Sequence, residues 1–425
     1  MTLPTVFCAQ WIAPFRSPLS PSVSFVISVY RWFSFFMNIL WVTRSFLDYR
    51  IPVFEELDKL VGNRLTLVHS GDYVPGRVQE KAQAVLGDRA VAMSGEWKLG
   101  REDREFMANR NVSLRYQPGI GRRIRELQPD VLVGDGFFKW TFSCLLARRL
   151  RGTPLVVCYE RTAHTERGVQ WYRRLYRKWA LRAIDAMCCN GRLCSEYVQS
   201  VGFPGERITC GHMAADTAGL ASACSAVSDG EKQALRGALN LDGTVILYVG
   251  RLIPLKGIDR LLSAWSRLDP AVREKGTLLL VGDGPERGEL ETFCQTHELR
   301  NVRFAGAVDY DRIAPYYAVS DLFVMPTLED NWSLVVPEAM ACGLPILCSR
   351  YNGCWPELVQ ECRNGWVSDP LDLAHFTQAL SRSIEQREHL RAMGEASRTI
   401  VSQHTPKHAA EAVLQSCRIA IQRHA

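Results

Sequence analysis

The sequence has 14 cysteines but no Cys-x-x-Cys pair. Cys342, Cys348, Cys354 and Cys362 stand six to eight positions apart, whereas zinc sites use tight pairs. No metal site is expected, and the thiols read as reduced and mostly buried, as in a cytosolic protein. The charge-free stretch Ser17–Tyr30 stops at Arg31, short of the ~20 apolar residues of a spanning helix. A mean hydropathy of −0.09 argues against a polytopic membrane protein. Gly282-Asp283-Gly284 lacks the third glycine of a dinucleotide loop, because Arg287 holds that position. A nicotinamide enzyme is therefore not expected. Basic residues are plentiful, but no nucleic-acid-binding motif accompanies them.

What is present is a globular composition. The chain has 425 residues, 47% hydrophobic and 23% charged, which fits two or more domains. The net charge of +6 hides an asymmetry. Residues 1–210 hold 30 basic and 19 acidic side chains, a balance of +11, against −5 for the remainder. Two halves of opposite sign suggest two domains with different partners.

Residues 1–36 are apolar, aromatic and free of acids. They read as an N-terminal extension: a weak signal or anchor segment, or an artefact of the chosen start. Met37 precedes the apolar run Ile39–Val42 and is the expected start of the functional protein. From there β-strand and helix patterns alternate, which predicts an α/β fold with mostly parallel sheets. Strands are expected at 39–43, 65–69, 131–133, 155–158, 184–189 and 208–211. Residues 75–115 are polar and give no clear pattern. Residues 214–230, rich in Ala, Ser and Thr, mark the boundary. The second half then restarts, with strands at 245–249, 277–281, 302–305, 321–325, 345–348 and 365–367. A last helix opens with Thr405 as cap and Pro406 at its first position.

Two segments carry chemistry. In Gly250-Arg251-Leu252-Ile253-Pro254-Leu255-Lys256-Gly257, two cations five apart follow a strand end, where open α/β sheets bind ligands. A planar guanidinium and an ammonium together suit a diphosphate. A solvated surface loop is the alternative reading. In Asp330-Asn331-Trp332-Ser333-Leu334-Val335-Val336-Pro337-Glu338, two carboxylates are separated by seven residues. Pro337 can open a helix and Gly343 can end it. The dipole then favours an ionised Glu338 that accepts from neighbouring hydroxyls. The loop amides are expected to point outward, towards an anion or sugar oxygens. Taken alone, the segment also reads as a capped, buried helix.

These stretches, with LLLVGDGPE (278–286), VRFAGAV (302–308) and YYAVSDLFVMPTLEDNWSLVVPEAMACGLPIL (316–347), resemble glycosyltransferase family 4, retaining enzymes of the GT-B fold. The resemblance is close over about 100 residues and looser over the whole two-domain layout. It implies two Rossmann-like domains with a cleft between them and a C-terminal helix. The implied divisions are 1–36 as extension, 37–213 on the acceptor side, 214–404 for the nucleotide sugar, and 405–425 packing back on the first domain.

The resemblance also implies roles. Arg251 and Lys256 hold the donor diphosphate, Glu338 the ribose, and Asp330 the donor sugar. Asp330 replaces the family's usual Glu, so Glu329 is the neighbouring alternative for that contact. Gly250, Gly282, Asn331, Trp332, Ser333 and Leu334 complete the implied donor site. On the acceptor side, Tyr49-Arg50-Ile51-Pro52 stands where the family usually has Gly-Gly. Glu160, with His164 four positions later, stands where it often has His.

Asp309-Tyr310-Asp311 has the spacing of metal-dependent sugar transferases but reads as a helix cap. The family resemblance implies no metal and no cofactor beyond a nucleotide-diphosphate sugar substrate. Helix 169–183 divides by sequence into Trp171, Tyr172, Leu175, Tyr176, Trp179 and Ala183 on one face and Arg173, Arg174, Arg177, Lys178 and Arg182 on the other. The basic face is either solvated or in peripheral contact with an anionic membrane. The expected protein is thus a cytoplasmic, metal-independent retaining glycosyltransferase, peripheral at the inner membrane face. Its acceptor is a glycan or a lipid-linked molecule of cell-surface polysaccharide or glycolipid synthesis. A catalytically silent nucleotide-sugar-binding scaffold is the alternative. An epimerase or phosphorylase is a third, the latter disfavoured because no lysine suits a pyridoxal cofactor.

Overall fold

The structure is a computed structural model that describes residues 37–100 and 113–424. The expected extension 1–36 lies outside the described residues.

Two parallel sheets organise the chain. The first has seven strands in the order β3-β2-β1-β6-β7-β8-β9. They are β1 (Ile39–Val42), β2 (Leu65–Ser70), β3 (Ala90–Met93), β6 (Val131–Asp135), β7 (Leu155–Tyr159), β8 (Ala186–Cys189) and β9 (Ile208–Cys210). A small antiparallel pair, β4 (Trp97–Gly100) and β5 (Ser113–Tyr116), lies outside it. The second sheet has six strands in the order β12-β11-β10-β13-β14-β15. They are β10 (Thr244–Val249), β11 (Gly276–Val281), β12 (Val302–Gly306), β13 (Leu322–Met325), β14 (Ile346–Ser349) and β15 (Gly365–Ser368).

The central strands are buried on both faces, as parallel strands between helical layers must be. β1, β7, β11 and β13 carry buried residues at every position. Strand order reverses at β1/β6 in one sheet and at β10/β13 in the other. Such switch points leave a crevice at the carboxyl ends of the strands.

Helices cover both faces of the first sheet. Ile51–Leu60 and Gly76–Leu86 lie on one face with Pro406–Gln422, so the last helix packs on the first domain. Thr405 caps that helix by accepting from the His408 amide at 3.2 Å. The other face carries Ile120–Leu127, Thr141–Arg151, Trp171–Leu181 and Arg192–Ser200. The Ala- and Ser-rich boundary segment forms the helix Thr217–Ala226. Its Leu220 and Cys224 are buried in the second domain's core.

The helix Trp171–Leu181 departs from its sequence pattern. Trp171 and Leu175 are 75% and 62% exposed, whereas Arg177 is buried with Ala180 and Leu181. The cause is Glu166: its carboxylate accepts from Arg177 Nη1, and Tyr197 accepts from the same nitrogen at 3.1 Å. A charge so paired is able to enter the interior in place of an apolar side chain. The neighbouring helix Thr141–Arg151 exposes Phe142, Leu146 and Leu150, four positions apart, at 48%, 48% and 73%. Arg149 of this helix lies over the Trp179 ring at 5.3 Å, which brings the two helices together.

Candidate active site

The donor-side candidates collect at the carboxyl ends of β10 and β13. Gly250 and Gly282 follow β10 and β11, and their backbones touch. A Cβ on Gly282, at φ 141°, would stand 1.8 Å from the Gly250 carbonyl oxygen. Only glycine fits this turn, which leads into Arg251. Arg251 is exposed and makes no ion pair among the described residues. Lys256 closes a 3₁₀ turn, and its Nζ lies 2.5 Å from Asp330 Oδ2. Asp330 is buried, and the same oxygen accepts from the Ser333 hydroxyl.

The loop amides are not where the sequence puts them. The Trp332 amide donates to Asp330 Oδ1 at 3.1 Å, and the Ser333 amide to Asn352 Oδ1 at 3.4 Å. Both point inward, the first because a short Asp accepts from its own loop and the second towards the Asn352 side chain. Trp332 is buried; its ring would meet a Cβ on Gly191 of the first domain at 2.7 Å.

Glu338 lies in the first turn of Val335–Ala341, with Pro337 inside that turn rather than opening it. Gly343 ends the helix at φ 84°. Tyr317 Oη donates to Glu338 Oε2 at 3.2 Å. Burial nevertheless pushes the carboxyl up to about 7. Desolvation outweighs the Tyr317 bond, which favours the ionised form. Glu338 and Leu334 line a cleft cavity of about 890 Å³, which Tyr49 borders from the first domain. Asp309 and Tyr310 line it too. Asp309 stands at the head of a 3₁₀ turn but makes no capping bond, so the expected cap is a position without the interaction.

The acceptor-side candidates gather at β6 and β7. Arg50 is buried, with Nη2 3.2 Å from Glu160 Oε1 and 3.9 Å from Asp135 Oδ1. Desolvation raises the Glu160 carboxyl, against the Arg50 charge that lowers it. His212, buried beneath, is held down to about 3 by desolvation and by Arg50. It is therefore neutral, and its Nε2 lies 3.0 Å from the Tyr159 carbonyl oxygen. Sequence reasoning missed Asp135; its position at a strand's carboxyl end was the available signal.

His164 goes elsewhere. Its Nε2 lies 2.9 Å from the Leu328 carbonyl oxygen, and its ring stacks on Tyr351 at 4.4 Å. Burial lowers its basicity, so the neutral ring donates from Nε2. Arg167 pairs with Glu329 at 3.1 Å. Asn190 Nδ2 donates to the carbonyls of Glu160 at 3.1 Å and Asn331 at 2.9 Å. The first domain thus grips the 328–331 loop at several points.

Two family models match this chain: a glycosyl transferase 4-like domain over residues 62–210 and glycosyl transferases group 1 over 231–400. The chain belongs to glycosyltransferase family 4. Within that family it is 33% identical over 178 residues to D-inositol 3-phosphate glycosyltransferase 2 of Catenulispora acidiphila, covering 39% of this chain and 41% of the relative. It is 25% identical over 299 residues to sulfoquinovosyl transferase SQD2 of Arabidopsis thaliana, covering 68% and 56%. The chain spans about half the length of the curated relatives it matches. Its GT-B fold is shared with Anabaena Alr3699/HepE, solved with UDP. The TM-score is 0.69 at 19% identity, covering 89% of this chain and 99% of that one. WaaG, a glycosyltransferase of lipopolysaccharide biosynthesis, aligns with a TM-score of 0.60 at 15% identity, covering 89% and 98%.

Proposed function

We propose that this family 4 member is a retaining, metal-independent glycosyltransferase. A nucleotide-diphosphate sugar sits mainly on the second domain, and a glycan or lipid-linked acceptor enters from the first. The observation that carries this is the pairing of Lys256 with Asp330 at the carboxyl edge of the second sheet, with Asn331 of the same loop lining a cavity beside Asp135 and Glu160 of the first domain; Glu338 adds a carboxyl on the cleft cavity that Tyr49 borders. Arg251 and Lys256 meet the diphosphate, Glu338 the ribose, and the Asp330 loop with Gly250, Gly282 and Leu334 the sugar side.

As the anomeric bond breaks, negative charge grows on the leaving diphosphate. Cations aimed there stabilise the transition state more than the ground state. They supply in this reading the charge a metal ion would otherwise bring. HepE, solved with UDP and with UDP-glucose, supports a nucleotide sugar as donor. A thermal-shift screen of nucleotide sugars, followed by transfer assays with and without chelator, tests the assignment.

A silent nucleotide-sugar binder is the second reading. The engagement of Asp330 by Lys256 and Ser333 favours it, and turnover with any acceptor would exclude it.

The protein also works at an anionic membrane in this proposal, on the cytoplasmic side where cell-surface polysaccharide or glycolipid is made. Support comes from the exposed Leu146, Leu150, Trp171 and Leu175 beside Arg149, Arg174 and Lys178. Apolar side chains flanked by cations suit an anionic interface. Among the described residues, no helix is long and apolar enough to cross a membrane.

A further inference from the structure

A second cavity, of about 290 Å³, opens at the carboxyl ends of β6 and β7. It lies near the lower end of small-molecule sites, roughly 300–1,000 Å³. Its lining is electrically divided. Asp135 and Glu160 stand at one side, and Lys139, Arg161, Arg173 and Arg177 line the rest around Glu166. The acidic side abuts the donor loop, because Asn190 joins the Glu160 and Asn331 carbonyls and Asn331 itself lines the cavity.

Arg161 and Arg177 together have more donor capacity than the Glu166 carboxylate uses. Glu166 accepts from Arg177 Nη1 and lies 3.6 Å from Arg161 Nε. Arg161 Nη1, Arg177 Nε and the Tyr159 hydroxyl are buried with no hydrogen-bond partner. Arg177 and Tyr159 are 6% and 4% exposed. Buried donors are rarely left unpaired without a reason, and three on residues of one cavity call for an acceptor-rich ligand. Lys139 adds to this. It holds a left-handed backbone, φ 61°, at the cavity, and such strain in a non-glycine residue gathers at ligand sites.

We infer that this cavity takes a hydroxylated acceptor bearing a phosphate or similar anionic group. The inference rests on the proposed transferase reading and names its acceptor class. The anion lies among Lys139, Arg161, Arg173 and Arg177, and a hydroxyl lies toward Glu160 and the donor. That hydroxyl oxygen bonds to the anomeric carbon as the bond from carbon to diphosphate oxygen breaks. The electron pair leaves with the diphosphate, which also receives the hydroxyl proton. Arg177, which reads by sequence as part of a solvated or membrane-facing surface, is thereby a wall of the acceptor site.

Calorimetry on the UDP-loaded full chain tests this without requiring turnover. The probes are myo-inositol 3-phosphate and glycerol 3-phosphate, each against its unphosphorylated polyol, and phosphatidylinositol vesicles against phosphatidylcholine vesicles. The phosphorylated probe is expected to bind at least tenfold tighter. Arg173→Gln or Lys139→Gln should remove about tenfold, one charge-assisted contact, with UDP affinity unchanged. Preference for the soluble phosphates marks a free acceptor, and preference for phosphatidylinositol alone marks a lipid headgroup; both fit the shared chemistry. Equal binding of phosphorylated and plain polyols, or variants that bind the phosphate as well as the parent, would overturn the inference. Failure to bind UDP would instead count against the transferase proposal.

Discussion

Lys256 Nζ lies 2.5 Å from Asp330 Oδ2, so two side chains assigned to different parts of the donor meet each other. The pair is mostly buried, with side-chain exposures of 19% and 8%. A diphosphate must draw Lys256 toward itself while Ser333 and the Trp332 amide keep Asp330 paired. Lys256→Ala is expected to lower kcat/KM roughly a hundredfold, ~3 kcal/mol at the transition state. It should also lower stability by ~1–3 kcal/mol, since Asp330 loses its charged partner. Steady-state kinetics beside urea unfolding would check both.

Glu338 gives a pH signature. Its carboxyl is raised from 4.5 to about 7. An acid raised on folding contributes stability that is full below pH 4.5 and is lost as pH rises through 7. Free-protein stability should therefore fall across that window. Nucleotide affinity should rise over the upper part of it, because only the ionised form accepts from two ribose hydroxyls. Glu338→Gln should flatten both profiles, read by thermal unfolding and calorimetry between pH 5 and 8.

Removing Arg50 tests the acceptor side. Arg50→Ala removes a buried cation from between the partly exposed carboxylates of Glu160 and Asp135. A stability loss of ~1–3 kcal/mol is expected, read by urea unfolding. In the full chain, acceptor KM should rise while UDP affinity holds.

The grip on the donor loop is a weaker device. Arg167 is half exposed, so its pair with Glu329 contributes ~0.2–1 kcal/mol. His164→Phe keeps a ring to stack on Tyr351 but loses the bond to the Leu328 carbonyl. A two- to tenfold fall in kcat is expected, about one hydrogen bond. His164 is neutral near pH 7, so raising pH further should not alter its contribution.

Vesicle co-sedimentation checks the membrane face. A Leu146→Gln, Leu150→Gln, Trp171→Gln variant is expected to lose most binding to phosphatidylglycerol vesicles. Transfer to a water-soluble acceptor should be unchanged. Retained binding would place the contact elsewhere.

The sequence made the buried strands legible, because β1, β6, β10 and β13 are continuous apolar runs ending in loops. It did not reveal β3 or the β4–β5 pair. Those strands are partly polar, and their pairing is set by distant partners. At the site, the spacing of Arg251, Lys256, Asp330 and Glu338 brought out their shared edge. It could not show that the Trp332 amide turns inward to Asp330, or that burial raises the Glu338 carboxyl. Arg177 was misplaced for a related reason: periodicity assigns charges to water, and only the position of Glu166 in space reverses that.

The central claim is that this site transfers a sugar from a nucleotide with retention and without a metal. The most direct measurement is proton NMR of the product formed from a nucleotide α-sugar by the full chain in excess EDTA. An α-linked product with stoichiometric nucleoside diphosphate release is predicted. A β-linked product, or tight nucleotide-sugar binding with no transfer to any acceptor, would contradict it.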